Sequence, residues 1–182
     1  MIEFQGFPKI ARLSRLCTVT EKIDGTNASI YIADNGIDML TGSRTKWITP
    51  TDDNAGFAKW VQANREELLK LGPGHHFGEW WGQGIQRKYG QDRKRFSLFN
   101  TFLWSDPLVR PACCDVVPVL YEGIFHSNAI EYCIDRLAVF GSLAAPGFMQ
   151  PEGVMIYHQA AKTYFKKTII GDEKPKGSTE QG

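Results

Sequence analysis

The chain has 182 residues, 42% hydrophobic and 12% aromatic, which is enough apolar material for one packed domain and excludes a disordered polypeptide. Its 21 Lys and Arg nearly balance 20 Asp and Glu for a formal net charge of +1, so overall charge selects no partner, and any grip on a polyanion must come from cations gathered on one face. No apolar run reaches membrane-spanning length and the N-terminus carries no signal-peptide pattern, which points to a cytoplasmic protein with no membrane partner, by default a monomer.

Residues 1–15 mix apolar and basic side chains, with Phe7-Pro8-Lys9-Ile10 as an extended lead-in. An apolar run, Leu16 to Val19, predicts a strand that hands over to a turn at Glu21-Lys22-Ile23-Asp24-Gly25-Thr26-Asn27. Ala28 to Asp34 alternates in strand fashion, Asp34-Asn35-Gly36 supplies positive-φ residues for a tight hairpin, and Ile37 to Arg44 returns as its partner. Asp52 to Leu71 predicts a helix, capped by Asp52 or Asp53, with an apolar stripe of Phe57, Trp60, Val61, Leu68 and Leu69, and stopped by Gly72-Pro73.

A strand is expected at His75 to Trp81, then a glycine-rich basic loop from Gly82 to Arg95, then an aromatic core strand from Phe96 to Trp104. Ser105 to Asp115 shows no periodicity, and Val116 to Glu122 predicts a short strand whose Pro118 marks an edge or bulge. Asn128 with Glu131 three residues later predicts the cap of a second helix carrying Ile130, Cys133, Ile134, Leu137 and Val139. Gly153 to His158 and Ala161 to Ile170 predict two last strands, and 171–182 a frayed polar tail. The count favours a single α+β domain rich in antiparallel pairing, over residues 1–170, with no separate C-terminal domain. Cys17, Cys113, Cys114 and Cys133 form no Cys-x-x-Cys pair and predict reduced thiols.

The chemistry concentrates in a few short stretches. An amine becomes a nucleophile when it loses its proton, which desolvation and neighbouring cations promote, so Lys22 at a strand end with Asp24 to orient it and Gly25 to admit a ligand is a candidate. Phe77-Gly78-Glu79-Trp80-Trp81-Gly82 holds a carboxylate between glycines, Phe96-Ser97-Leu98-Phe99-Asn100 offers aromatic faces, and Glu152-Gly153-Val154 places a carboxylate before an apolar strand. Cations crowd two segments, Arg87, Lys88, Arg93, Lys94 and Arg95 in the first and Lys162, Lys166 and Lys167 in the second. Each stretch alone also has a purely structural reading as a solvated turn, a core strand or a soluble loop.

Taken in order, Lys-x-Asp-Gly, Ser-Arg, Phe-Gly-Glu-x-x-Gly, the aromatic strand, Glu-Gly-Val and the late lysines resemble the covalent nucleotidyltransferase superfamily of ligases and capping enzymes. Within it the pattern is most similar to ATP-dependent RNA ligases of the type that seals nicks in duplexes, down to the Gly82-Gln83-Gly84-Ile85-Gln86 continuation. The likeness runs from about Phe7 to about Thr168. It implies an adenylyltransferase domain, ATP-grasp-like, of twisted antiparallel sheets flanked by helices. It implies that Lys22 attacks the α-phosphate of ATP to form a lysyl-AMP, that AMP passes to a 5′-phosphate, and that a 3′-hydroxyl then displaces it. By the same resemblance Glu21, Ile23 and Asn27 belong to the nucleotide site, Arg44 lies near the ribose and the polynucleotide 5′-phosphate, Glu79 holds the ribose hydroxyls, and Phe96, or else Phe99, stacks on adenine. Glu152 would bind Mg²⁺ (or Mn²⁺), and Lys162 or Lys166 would contact the α-phosphate as part of the catalytic set. Arg44, Arg87, Lys88, Arg93 and Lys94 would supply salt-dependent contacts to RNA ends or a nicked duplex, which can include DNA.

The sequence departs from the family pattern at Asn100, where Asp is common, in the spacing of Lys162, Lys166 and Lys167, and in the mere dozen polar residues after the last motif. The alternatives are a small DNA ligase, an enzyme that caps or adenylylates ends without joining them, and an inactive nucleic-acid-binding module. The joint presence of Lys22, Glu79 and Glu152 speaks against the last, since a binder needs no nucleophile.

Overall fold

Alternation decides the first strand, β1 (Leu16–Lys22): Cys17, Val19 and Glu21 turn to one side and Thr18, Thr20 and Lys22 to the other. In this computed structural model, which describes residues 2–172, β1 is flanked on both sides, by β8 (Val119–Ile124) and by β9 (Gly153–His158), the latter also pairing β10 (Thr163–Thr168). These four strands form one antiparallel sheet in the order β10-β9-β1-β8. The buried side of β1 packs under α4 (Ser127–Phe140), where Cys17, Val19, Val154 and Ile156 meet Ile130, Cys133, Ile134 and Leu137.

The second sheet runs in the order β4-β3-β2-β5-β6-β7, with β2 (Thr26–Ile32), β3 (Met39–Ser43), β4 (Trp47–Ile48), β5 (Gly74–Gly82), β6 (Lys94–Leu98) and β7 (Asp115–Val116). All its pairings are antiparallel except β6 with β7. Ala28, Ile30 and Ile32 face a core shared with α1 (Phe57–Ala63) and α2 (Arg65–Leu68), in which Phe57 stands 4.9 Å from Phe96 and 5.3 Å from Trp80. Each such fully buried aromatic contributes about 1.5–3 kcal/mol through removal of apolar surface from water. A third cluster, Ile23, Trp81, Tyr89, Val117 and Ala145, fills the joint between the two sheets. The chain crosses between sheets at two places, Ile23–Gly25 and Val117–Pro118.

Several expected boundaries move. The hairpin turn has positive φ at Gly36 alone, while the Asn35 carboxamide accepts from the Ile37 and Asp38 amides. The helix expected from Asp52 begins at Phe57, because Ala55 and Gly56 adopt left-handed backbone; Asp53 still caps it from upstream, accepting from the Ala58 and Lys59 N–H groups. The strand expected over 96–104 stops at Leu98, and Thr101–Trp104 forms a helical turn, α3, capped by Asn100 accepting from Leu103 N–H. The strand expected at 116–122 is split at Pro118, half in each sheet. The second helix is capped by the His126 ring and not by Asn128. Gly171 and Asp172 carry no regular structure, and the rest of the expected tail lies outside the described residues. No helix among the described residues is long and apolar enough to cross a membrane, and the four cysteines are free, with Cys113 and Cys114 Sγ atoms 4.0 Å apart.

Candidate active site

Lys22 is the last residue of β1, opposite Gly153 of β9, on the side of the sheet away from α4. Its Nζ lies 2.5 Å from Glu152 Oε2, a carboxylate only 2% exposed. Glu152 thus takes the orienting role expected of Asp24, whose carboxylate instead pairs with Arg87 Nε at 2.9 Å.

Three residues on, the backbone enters β2 and brings Asn27 opposite Glu79 of β5. Glu79 accepts from Gly25 N–H at 2.9 Å and from Asn27 Nδ2 at 3.0 Å. Burial pushes its carboxyl up to about 7, against the pull of those two donors and of Lys22; Glu152 adds to the rise. Lys22, Glu79 and Glu152 therefore share one electrostatic neighbourhood, a cation between two buried carboxylates. Gly25 is required at their centre: a Cβ there would collide with the Trp80 carbonyl and approach the Trp81 Cβ to 2.7 Å.

Beyond Asn27 a cleft of about 90 Å³ is lined by Asn27, Ala28, Ser29, Ser43, Arg44, Phe77 and Phe99. A larger hollow of about 300 Å³ lies on the other side of Arg44, among Thr26, Ser43, Lys46, Ile48 and Asp52 to Asn54. The smaller one is lined by Asn27, a donor to Glu79, and is the better place for a base; the larger is the more open of the two.

Several expected members stand elsewhere. Phe96 is fully buried against Phe57 and Trp60, so no base can reach it; Phe99 lines the cleft. The Glu21 carboxylate faces away from Lys22, as strand alternation requires, and accepts from Ser142 Oγ at 2.5 Å, Leu143 N–H at 2.8 Å and Ala144 N–H at 3.0 Å. Burial raises its pKa and these donors oppose the rise. Ile23 is packed in the joint cluster. Any nucleotide contact from Glu21 or Ile23 is therefore confined to backbone atoms. Lys166, opposite Met155 and hence in line with Thr20, shares the Lys22 side of its sheet. Lys162 sits in the β9–β10 turn at the far end of the strands and is not brought to Lys22. Lys167 lies on the opposite side, 3.4 Å from Glu131.

Three of the five cations of the basic segment, Arg87, Lys94 and Arg95, are held by intramolecular bonds, Arg87 while still exposed. Arg87 bridges Asp24 and the Gln150 carbonyl, Lys94 donates to the Ala55 carbonyl, and Arg95 makes a two-pronged pair with Asp115 above the Trp81 ring. Lys88 and Arg93 remain exposed. Sequence reasoning missed Tyr89, whose hydroxyl accepts from Asp24 N–H at 2.8 Å, and Ser142; no local pattern marks either.

Among the described residues no three His, Cys, Asp or Glu side chains form a metal cage. A divalent ion that arrives with substrate phosphates needs only one or two protein carboxylates, and buried Glu152 beside Lys22 fits that requirement.

The sequence model described as RNA ligase matches residues 15–169. No curated protein matches the chain. Among solved structures, a mutant of the Naegleria gruberi RNA ligase in its apo form superposes with a TM-score of 0.63 at 21% identity, covering 85% of this chain and 50% of that one. A second mutant of the same ligase, with ATP and Mn, gives 0.60 at 18% over 86% and 50%, and a third, with AMP and Mn, the same values. The chain thus spans about half the length of the ligase it resembles.

Proposed function

This chain belongs to the RNA ligase family, and from that premise we propose that it is the adenylylating module of an ATP-dependent polynucleotide ligase acting on RNA ends. The observation that carries the reading is the junction of Lys22, Glu79 and Glu152 at the point where one sheet passes into the other. Lys22 Nζ, having given up its proton, attacks the α-phosphorus of ATP; an N–P bond forms, the P–O bond to pyrophosphate breaks, and the product is lysyl-AMP. Asn27 and Glu79 offer a donor and an acceptor to the ribose, Phe99 and Phe77 flank the base, and Arg44 stands where it can meet a phosphate. Lys166 serves the α-phosphate from the same side of the sheet as Lys22. Glu152 would hold Mg²⁺ or Mn²⁺, which supplies charge neutralisation for the phosphates.

The AMP group next moves to a 5′-phosphate and is displaced by a 3′-hydroxyl. Lys88, Arg93 and Arg44 are the cations exposed for the polynucleotide. The test is covalent labelling by α-labelled ATP with Mg²⁺, read after denaturing separation. The wild-type chain retains label and Lys22→Ala retains none; absence of label with both ATP and GTP would sink the proposal and return the chain to a binding role.

A further inference from the structure

The sheet surface that carries the nucleotide residues does not end with them. On β2 and β5 the facing pairs Asn27 and Glu79, Ser29 and Phe77, Tyr31 and His75 follow one another on one face, about 7 Å apart along the strands. The pairs change from polar to aromatic as they leave the site. Tyr31 and His75 rings lie 4.5 Å apart, His75 and Phe77 are stacked at 5.8 Å with 10° between planes, and Trp47 of β4 joins them at 6.1 Å from His75 and 6.3 Å from Tyr31. This is not core: the packed side of the same sheet is the opposite one, with Ala28, Ile30 and Ile32. Trp47 is 51% and Phe77 55% exposed, and His75 is exposed as well.

The surface is shaped to keep those rings flat. Trp47 faces Gly42 across the β3–β4 pair, and a Cβ at Gly42 would stand 3.3 Å from the indole and 2.5 Å from Ser29 Oγ. Glycine therefore lets the ring lie along the sheet with its outer face open. Arg44 and Lys46 sit in the turn between the strands that bear Gly42 and Trp47, Lys46 paired with Asp52 beyond β4, and Arg44 shares the cleft with Phe77.

We propose that Trp47, His75, Tyr31 and Phe77 form a stacking platform for unpaired bases of a single-stranded RNA segment whose end enters the nucleotide site. The proposal rests on the ligase reading for its choice of polymer, and on the geometry for its chemistry: the exposed rings of Trp47, His75 and Phe77, with 27° between Trp47 and His75 and 10° between His75 and Phe77, take up bases of any sequence, the half-buried Tyr31 braces them at 39° to His75, the neighbouring Arg44 meets the backbone, and the platform is continuous with the cleft. No base preference is expected, because every base has a π-face.

The test measures binding of a short single-stranded RNA, and of an abasic strand of equal length, by fluorescence anisotropy, beside covalent labelling with α-labelled ATP. Trp47→Ala should weaken RNA binding about tenfold, leave the abasic strand unaffected and leave labelling unchanged; Trp47→Phe should keep most of the affinity. Trp80, Trp81 and Trp104 are buried and Trp60 is half-buried against Trp80 in the core, so tryptophan emission that RNA quenches in the wild type, that RNA no longer quenches in Trp47→Phe, and that the abasic strand leaves unchanged reports Trp47, even should Trp47→Ala fail to fold. Equal RNA affinity in wild type and Trp47→Ala overturns the platform, as does an equal loss for the abasic strand. So does a variant whose only change is from dimer to monomer in sedimentation, since the face would then belong to a second copy. Failure of labelling in the wild type strikes the ligase reading instead, and the RNA measurement still decides the platform.

Discussion

At the scale of single residues, side-chain parity sorts the site more sharply than residue type does. Phe96 and Phe99 both sit in an aromatic run, yet Phe96 pairs with Trp80 and turns inward while Phe99 follows the end of β6 and lines the cleft. Which parity faces the ligand depends on the register of β6 against β5, and that is fixed by pairing across the sheet, not within the run. Lys22, Asn27, Glu79 and Glu152 were legible because their order along the chain survives in a family pattern; Tyr89 and Ser142 were not, because each acts through a partner more than fifty residues away. Glu79 carries a pH signature. Its folded carboxyl titrates at about 7 against an ordinary 4.5, so between those values the folded chain keeps a proton that the unfolded chain has lost. Stability contributed below pH 4.5 is therefore lost as pH rises through 7, to the extent of roughly 3 kcal/mol through this one group. Glu79→Gln cannot titrate, and Asn27 can turn its amide to suit the new side chain. Chemical denaturation across this range should show the wild type losing stability relative to the variant as pH rises; parallel curves would refute the assignment of the raised group to Glu79.

At the scale of elements, the strands at β1, β2, β5 and β9 lie where they were expected, while the aromatic strand and the strand at Pro118 were cut short or split and the helix ends moved. Period-two alternation marks β2, whereas helix starts depend on local backbone and caps: Asp53, expected as a cap, acts from four residues upstream of the helix it serves, and a histidine ring serves α4. Asn100, which departs from the family's usual Asp, caps α3, a task either side chain performs. The strand-to-strand turn at Gly25 tolerates no added side chain. Its φ is unexceptional but there is no room for a methyl group against the Trp80 carbonyl and the Trp81 Cβ, so Gly25→Ala must push the crossing away from β5. Overpacking of this kind costs about 1–3 kcal/mol; urea unfolding of Gly25→Ala should give a lower midpoint with an unchanged slope, together with loss of covalent labelling by ATP beyond what stability explains.

At the scale of the whole molecule, two sheets each have a core of their own, and the joint cluster is what makes them one body. The sequence announces neighbouring hairpins, but not that β1 lies between β8 and β9, more than a hundred residues away, nor that the basic loop 83–93 is folded back as a clasp by Arg87 and Tyr89. Long-range pairing and ion pairs of this sort are decided by closure of the whole chain. Tyr89 is buried in the joint, where Trp81 meets it edge-on at 5.3 Å and Phe148 packs at 4.5 Å. Tyr89→Ala should cost about 3–5 kcal/mol by leaving a cavity, and hydrogen exchange should show the amides of Asp24, Gly25 and Val117 losing protection before the centres of either sheet; simultaneous loss everywhere would mean the joint is not a separate unit. The crossing at Ile23–Gly25 also has a metric consequence. Three residues can span only about 10 Å, and a one-residue slip of β2 against β5 would carry Asn27 to the face away from the Glu79 carboxylate. The segment is a covalent gauge between the Lys22 amine and the Asn27–Glu79 pair, and on the ligase reading, in which that pair holds the ribose, it gauges the ligand too: a nucleotide bearing its phosphate on the wrong sugar carbon would fit the cleft and still present nothing for Lys22 to attack.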